Sequence, residues 1–485
     1  MAETGDRVRF PIRAKLLLVF LAVGTIAITA AGILGYAASR NSLVESAHEK
    51  LTAIRESKKW QVERYFFQLS NMIVTFAEDP TVGSAVREFS SAFDSHTADD
   101  SELEQARAEL AKHYKAHYMP KLGSGATVEE LLPSDERAVL LQQKFIVDNP
   151  YAESQRENLN GQGNESYSQT HSRYHPFIRT FRRRHSLYDI FLIECDSGHI
   201  VYTTFKEMDL GTSLVDGPYS NTNFARAFNA AKKLEQGQYV LVDFEFYRPS
   251  YNAPAAFIAA PVFNDDALVG VCAFQMPIDQ IDSVMTGGER WSKEGLGSTG
   301  ETFLVGDDLL MRSDSREMIE DMPSLLDRLR DNGTGKDTIQ KVSTHSTSIL
   351  LQRVDVDYVN DAFEAKAVQG IGSDQFGRSV LFSCTQLNTP GLEWVIVCEI
   401  DEDEVLIPAK NLKWKFLTLA LVLSLVIAVI ALGVASAISS PIRDLERSIR
   451  EFGRGDLNSR SAVNAQDETG ALSRAFNQMA EDLAT

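Results

Sequence analysis

Cysteine is scarce in this chain, four in 485 residues, and neither a cysteine cluster nor a His-Glu-x-x-His sequence accompanies its nine histidines. That leaves no sequence for a zinc site, and no metal or other cofactor is expected. Positive charge is also short: 48 Lys and Arg stand against 67 Asp and Glu, a net charge of −19, which argues against a nucleic-acid partner. Proline is missing from 41 to 93 except at Pro80, so little interrupts a helix there. Charge itself is absent from two stretches, the 24 residues 16–39 and the 25 residues 416–440.

Each uncharged run exceeds the roughly 20 residues needed to cross a bilayer core. The first could be taken for a signal peptide, since Gly35-Tyr36-Ala37 is a small-x-small cleavage sequence. Its apolar length is well beyond the roughly 7–15 residues of a signal h-region, so an anchor is expected. Arg7, Arg9, Arg13 and Lys15 precede it and place residues 1–15 in the cytoplasm. The second run gives a weaker vote, with Lys410, Lys413 and Lys415 on its outer side against Arg443, Arg447, Arg450 and Arg454 on its inner side; Trp414 suits the interface. Residues 41–410 then lie outside, and they hold 35 basic and 57 acidic residues, more negative than the whole chain. A solvated outer domain fits that surface.

An outer segment of about 370 residues is too long for one ordinary core. A repeat divides it. Asp189–Asp196 followed by Ile200–Thr204 matches Glu301–Asp308 followed by Leu310–Asp314, each a strand, a turn and a second strand. Ala255–Phe263 and Leu268–Met276 correspond to Ser379–Leu387 and Glu393–Ile400, with Cys272 aligned on Cys398; both copies end in an acidic-aliphatic helix start at Pro277 and Asp401. The period, about 110–125 residues, marks duplicated domains and not a solenoid. Ahead of the repeat, Tyr65, Leu69, Met72 and Phe76 form one helical seam. Residues 101–118 and 134–148 are expected helices around a Gly/Ser stretch at 121–126, 155–165 a polar loop, and Arg173–His185 a basic-aromatic helix.

After the second run, Ile442, Leu445, Ile449 and Phe452 form one heptad, and Leu472, Phe476, Met479 and Leu483 another. Pro441 can open the first helix. Gly455-Asp456-Leu457 connects the two, and Asp467 and Glu468 suit the positive end of the second. Helices this short cannot stand alone in water, so a second copy must complete a parallel four-helix bundle.

Two resemblances follow. The long helix, the tandem modules and the stretch Gly295–Val305 resemble the double Cache (dCache) extracytoplasmic sensor, over roughly residues 41–410. The Pro441-x-x-x-Leu445 opening, the Gly-Asp-Leu connector and Asp467-Glu468-x-Gly470-x-Leu472 resemble a HAMP signalling domain over 439–485, with Thr469 where the family usually has an aliphatic residue. The implied class is α+β: a long N-terminal helix with two tandem PAS-like antiparallel-sheet modules, two transmembrane helices and a helical HAMP coiled coil. The implied divisions are 1–15 cytoplasmic, 16–39 first span, 40–164 outer helical region, 165–288 membrane-distal Cache module, 289–410 membrane-proximal Cache module, 416–438 second span and 439–485 HAMP.

The resemblance implies a homodimeric two-pass receptor of a bacterial inner (cell) membrane, with both termini cytoplasmic. It would sense an outer small molecule and signal through HAMP, most like a methyl-accepting chemotaxis receptor. Its partners would be the ligand, membrane lipid and a cytoplasmic output module or signalling proteins. No enzyme is expected within these residues. The chain stops just after the second HAMP helix, so a fragment ahead of a separate output domain is expected; the alternative is the input half of a transmembrane nucleotide cyclase or histidine kinase.

Candidate ligand residues cluster in the first module. Tyr247, Arg248, Tyr251 and Asn252 surround a rigid turn, where the arginine could fork onto a carboxylate and the tyrosines enclose an apolar body; the bland alternative is a surface turn. Tyr219, Asn221 and Asn223 could form a lid. Some dCache sensors hold amino acids through an Arg-x-Trp pair and a strand aspartate. Arg-x-Trp is absent and Gln275 stands at the aspartate's place, so an ordinary amino-acid ligand is not expected. The relay candidates are Pro441, Leu445, Ile449, Gly455, Leu457, Glu468, Leu472, Phe476 and Met479. His113/His117 and His171/His175 are i, i+4 pairs expected on solvated helix faces, and Arg182–Arg184 is a solvated run or a pairing site. Cys384 and Cys398 lie symmetrically about Gly391, either as a cross-strand disulfide or as buried free thiols.

Overall fold

The computed structural model describes residues 11–122, 127–365 and 367–484. Arg7, Arg9 and most of the expected Gly/Ser stretch, 123–126, lie outside the described residues. The chain divides into two compact units, Ala47–Glu404 and the segments that flank it.

The Ala47–Glu404 unit is built on the later part of the first helix, Ile12–Ala77, which is unbroken for 66 residues. It stops at Pro80, whose preceding Asp79 caps the next helix, Pro80–Asp94, by accepting from the Thr81 amide. The buried seam is Val62, Phe66, Leu69, Ile73 and Phe76, one position away from the expected face over half its length, with Tyr65 and Met72 packed only at its edge. This stripe is shared by two sheets, because the same core holds Ile190, Leu192 and Phe274 of one and Leu304, Trp394 and Ile396 of the other. At roughly 1.5–3 kcal/mol for each large apolar side chain, that shared burial is the main attachment of both sheets to the helix.

The first sheet has the order β2-β1-β5-β4-β3, from β1 (Asp189–Glu194), β2 (Ile200–Thr203), β3 (Val240–Tyr247), β4 (Ala253–Asn264) and β5 (Ala267–Gln275). The second has β6 (Glu301–Gly306), β7 (Ala367–Ser373), β8 (Ser379–Gln386) and β9 (Trp394–Asp401) in the order β6-β9-β8-β7. All pairings are antiparallel. The expected strand at Leu310–Asp314 shrinks to isolated bridges at Leu310 and Met311, because Arg312 turns inward to ion-pair with Asp243 (3.0 Å) and Asp308 (2.9 Å).

Register corrects two expectations. The first rung of β1 with β5 is Asp189 opposite Gln275, and that of β6 with β9 is Glu301 opposite Glu399. Gln275 therefore corresponds to Glu399, and Cys272 does not correspond to Cys398. Cys384 faces Val397 and Cys398 faces Ser383, so the two thiols point to opposite sheet faces and cannot bridge; all four cysteines are free.

In the flanking unit, two helices are long and apolar enough to cross a membrane, Ile12–Ala77 and Ile407–Gly453. They approach where glycine permits: a Cβ on Gly24 would meet Ile427 at 2.7 Å. The second helix runs through Pro441 to Gly453, so Pro441 opens no new helix. Gly455, at φ +102°, reverses the chain, and the last helix, Glu468–Ala484, starts beneath Asp467, which accepts from the amides of Thr469 (3.0 Å) and Gly470 (3.1 Å). The Thr469 hydroxyl also turns to Asp467, so Thr469 serves the cap. Ser461 ties the connector down by trading bonds with Asn477 (2.8 and 2.9 Å).

Candidate functional site

The first sheet has two faces. Ile190, Leu192, Cys272 and Phe274 turn toward the long helix, whereas Phe191, Ile193, Val271 and Ala273 turn the other way, under a cap formed by the helix Asp100–His117 and the segment after β2. On this capped face the strand ends bring polar groups into an apolar enclosure.

Asp209 is its centre. It is fully buried; its Oδ2 accepts from the Tyr247 hydroxyl at 2.7 Å, while Oδ1 has no partner. Glu207 accepts from Tyr188 (2.9 Å) and Ser250 (2.9 Å), and Ser250 in turn receives the Gln275 amide at 3.1 Å. Gln142 fixes the segment by donating to the carbonyls of Met208 (2.7 Å) and Leu210 (2.8 Å), and accepts from the Tyr114 hydroxyl at 2.6 Å. Burial pushes the Asp209 carboxyl up to about 7, and it also raises Glu207 well above its ordinary range, with the charges of Asp209 and Asp189 adding to it. Asp189, on the first rung, is raised to about 6 by burial, opposed by its bond from Thr203. Lys206 is also buried, falls to about 7, and spends its ammonium on the Thr204 carbonyl at 3.0 Å.

Arg156, from the stretch expected to be a polar loop, is 4 % exposed. Its guanidinium donates to the Tyr118 hydroxyl (2.9 Å) and meets His113 Nε2 at 3.0 Å. Burial and Arg156 lower His113 to about 4, so its ring is neutral and accepts that bond. Tyr118 stacks on Tyr251 with ring centres 5.0 Å apart. Tyr114 is close enough to feel the charges of both Asp209 and Arg156, and Tyr118 those of both Glu207 and Arg156. Tyr219, Tyr251 and Gln275 each contribute a buried oxygen without a partner.

The expected residues divide by this geometry. Tyr219, Tyr247, Tyr251 and Gln275 belong to the enclosure. Tyr251 and Asn252 share left-handed backbone, φ +59° and +58°, which turns the Tyr251 ring inward, while Asn252 spends its amide on the Tyr247 carbonyl. Asn223 is a clamp, donating to the carbonyls of Asp243 (2.9 Å) and Ala255 (2.7 Å). Asn221 is exposed, and Arg248 turns to the surface, 3.8 Å from Glu130. Glu207, Asp209, Arg156, Tyr114 and Tyr118 escaped sequence reasoning. The available signals were a run of alternating charge, Lys206 to Asp209, straight after an apolar strand, and two tyrosines at i, i+4.

His171 and His175 are not solvated: both are buried and stacked 4.3 Å apart, and His175 is held by Tyr202 (2.7 Å) and the Glu157 carbonyl (2.7 Å). Arg182 and Arg183 pair with Glu157 at 2.7 and 2.8 Å. Glu194, Cys195 and Asp196 lie close enough to share a cation, but Glu194 is occupied in capping the amides of Asp196 and Ser197.

Of the relay residues, Leu445 and Phe476 are buried within one chain, and Phe452 meets Phe476 edge-on at 5.8 Å. Ile449, Leu457, Leu472 and Met479 are exposed. Glu468 sits in the first turn of the last helix.

Comparison with known proteins bears on both units. The HAMP domain family matches residues 433–485. The methyl-accepting chemotaxis protein PctB of Pseudomonas aeruginosa is 29 % identical over 93 residues, 19 % of this chain and 15 % of PctB. PscA of Pseudomonas syringae, also a methyl-accepting chemotaxis protein, is 26 % identical over 149 residues, 30 % of this chain and 24 % of PscA. The chain therefore spans less than a quarter of either relative. The sensory domain of the Campylobacter jejuni chemoreceptor Tlp3 aligns with 76 % of this chain and 98 % of its own, at 9 % identity and a TM-score of 0.34, too distant to carry an argument. Residues 433–485 match the HAMP domain family, and the part of the chain before them carries two antiparallel sheets that share one long helix.

Proposed function

We propose that this chain is the sensing and signal-converting part of a two-pass receptor, acting in chemotaxis from a bacterial inner membrane. Residues 41–410 lie outside, both termini are cytoplasmic, and the chain works as a homodimer. The exposed Ile449, Leu457, Leu472 and Met479 support the dimer, since a second copy would bury them in a four-helix bundle. The chain converts a signal and hands it to a cytoplasmic output module; it catalyses nothing itself.

The observation that carries the ligand site is Asp209, a fully buried carboxyl with one oxygen unpartnered among tyrosines. A buried polar atom left without a partner costs about 1–3 kcal/mol, which a donor on a ligand would recover. The donor is best supplied by an ammonium or hydroxyl group, with Arg156 beside Tyr118 to meet an acidic or carbonyl end. Gln275 therefore does not argue against an amino group, because Glu207 and Asp209 supply the counter-ion that it cannot. The test is thermal unfolding of the full chain in lipid nanodiscs against a panel of small amines, hydroxy acids and amino acids. A compound that raises the midpoint for the native chain and not for Asp209→Asn supports the site. A panel without effect on the native chain, or equal effects on both, overturns it.

A further inference from the structure

The second sheet repeats the geometry of the first on a different chemistry. Glu301 and Glu399 lie directly opposite one another on β6 and β9, at the rung where the first sheet has Asp189 and Gln275. Both point to the face that carries Phe303, Val305, Val395 and Val397, beneath the helix Asp357–Ala365. They are 7 % and 2 % exposed. Directly opposed residues have Cβ atoms about 4.5–5.5 Å apart, where two buried negative charges are strongly unfavourable.

Their surroundings offset that repulsion only in part, by two hydrogen bonds and by the charge of Arg378, which favours the ionised form of both. Glu399 accepts from the Tyr358 hydroxyl at 2.7 Å, and Glu301 accepts from the Arg316 amide at 2.9 Å. The nearby cations have acids of their own: Arg316 pairs with Glu320 (2.9 Å), Arg378 with Asp374 (2.7 Å) and Arg328 with Glu317 (3.1 Å). Asp374, Glu317 and the half-buried Asp401 add negative charge nearby. Among the described residues, neither glutamate has a cation within ion-pair distance.

We propose that the membrane-proximal module is a second input, sensitive to external pH, in which Glu301 and Glu399 bind and release a shared proton. Both carboxyls are raised out of the ordinary range, first by burial and, for Glu399, next by the charge of Glu301. Near neutral pH the pair holds one proton fewer than two and one more than none, so a modest rise in pH leaves two facing charges and drives the strands apart.

The strands that would move lead directly to the membrane segment. β9 ends at Asp401 and the chain enters the helix Ile407–Gly453 within six residues. Glu404, between them, accepts from the amides of Ser298 and Thr299 at 2.8 Å each, holding the loop that starts β6. That loop needs Gly297, at φ +66°, where a Cβ would lie 2.3 Å from Glu404. β9 therefore runs on through Glu404 in sequence, and Glu404 ties the start of β6 to the end of β9.

The inference rests on the receptor reading only for which side of the membrane supplies the proton, and its test needs no ligand. Infrared difference spectra of the full chain in nanodiscs, recorded from about pH 5 to about pH 9, report the carbonyl band of a buried protonated carboxyl. The native spectrum minus that of Glu399→Gln or Glu301→Gln is expected to show a component that titrates near neutral pH, distinct from the Asp209 component and retained in Asp209→Asn. Tyr358→Phe, the milder variant, should move the midpoint to higher pH, since it removes a donor that favours the charged form. A difference component that is missing from both glutamine variants' comparisons, that does not titrate, or that keeps its midpoint in Tyr358→Phe would overturn the proposal.

Discussion

The two sheets rest on one helix and present equivalent rungs, yet they differ in what the capped face holds. Above the first, an enclosure of tyrosines surrounds Asp209, with Arg156 on Tyr118 and several oxygens unpartnered. Above the second, Tyr358 is the tyrosine at the rung, stacked on Phe382 at 4.2 Å, and the two glutamates face each other. The two sheets share the scaffold and its hydrophobic seam. What differs is the chemistry at the strand ends, where a side chain changes the site without disturbing the shared core.

Trp394 is the sharpest test of whether the modules act as one body. It is fully buried on β9, packs on Phe66 of the long helix, stacks on Phe244 of β3 at 5.9 Å, and donates to Asp243 at 3.0 Å. Trp394→Ala should cost about 3–5 kcal/mol. Denaturant unfolding of the full chain should then split the outer unit's transition in two; a single transition at unchanged midpoint would show that the long helix alone holds the modules together.

A smaller pair of changes compares the two rungs. Tyr247→Phe and Tyr358→Phe each remove a hydroxyl that donates to a buried carboxylate, and each should cost about 1–3 kcal/mol at neutral pH. Equal losses in chemical unfolding would make the rungs energetic equivalents. A loss in one alone would show that the other carboxylate is already protonated.

The pH dependence has a fixed sign. The raised carboxyls Asp189, Glu207, Asp209, Glu301 and Glu399 bind more protons folded than unfolded. Their contribution to stability is complete below the ordinary carboxylate range and is lost as pH rises toward and through neutral. Melting midpoints should fall over that window, and Asp209→Asn should flatten the part that reaches about 7. Arg248→Ala should have the least effect, within about 0.5 kcal/mol, because the side chain is at the surface beside Glu130.

Most strands and the two long apolar helices were legible because each is written in local periodicity or in an uninterrupted apolar run, whereas the break at Pro80 and strand β7 were not, and Leu310–Asp314 forms only isolated bridges. The long helix seam slipped by one position because Phe66 and Tyr65 satisfy the spacing equally; only packing against Trp394 selects Phe66. Asp209 and Glu207 drew no notice in the sequence, since their segment is covered and held by Tyr114 and Gln142, far earlier in the chain. Arg248 was prominent in sequence because it follows a strand and precedes Pro249, and nothing local says that the turn points its side chain outward.

The helix Ile407–Gly453 contains no joint at Pro441, and this makes the connection to HAMP a matter of phase. In a continuous α-helix each residue adds 100° of rotation and about 1.5 Å of rise. One residue inserted near Ser440 would leave the apolar stripe of Leu445, Ile449 and Phe452 facing a wrong direction, while seven would return it to within about 20° of its original bearing. Output measured across a ladder of insertions should then rise and fall with a period near 3.6 residues, returning most closely at seven, and the register of the shaft, more than its length, sets the state of the receptor.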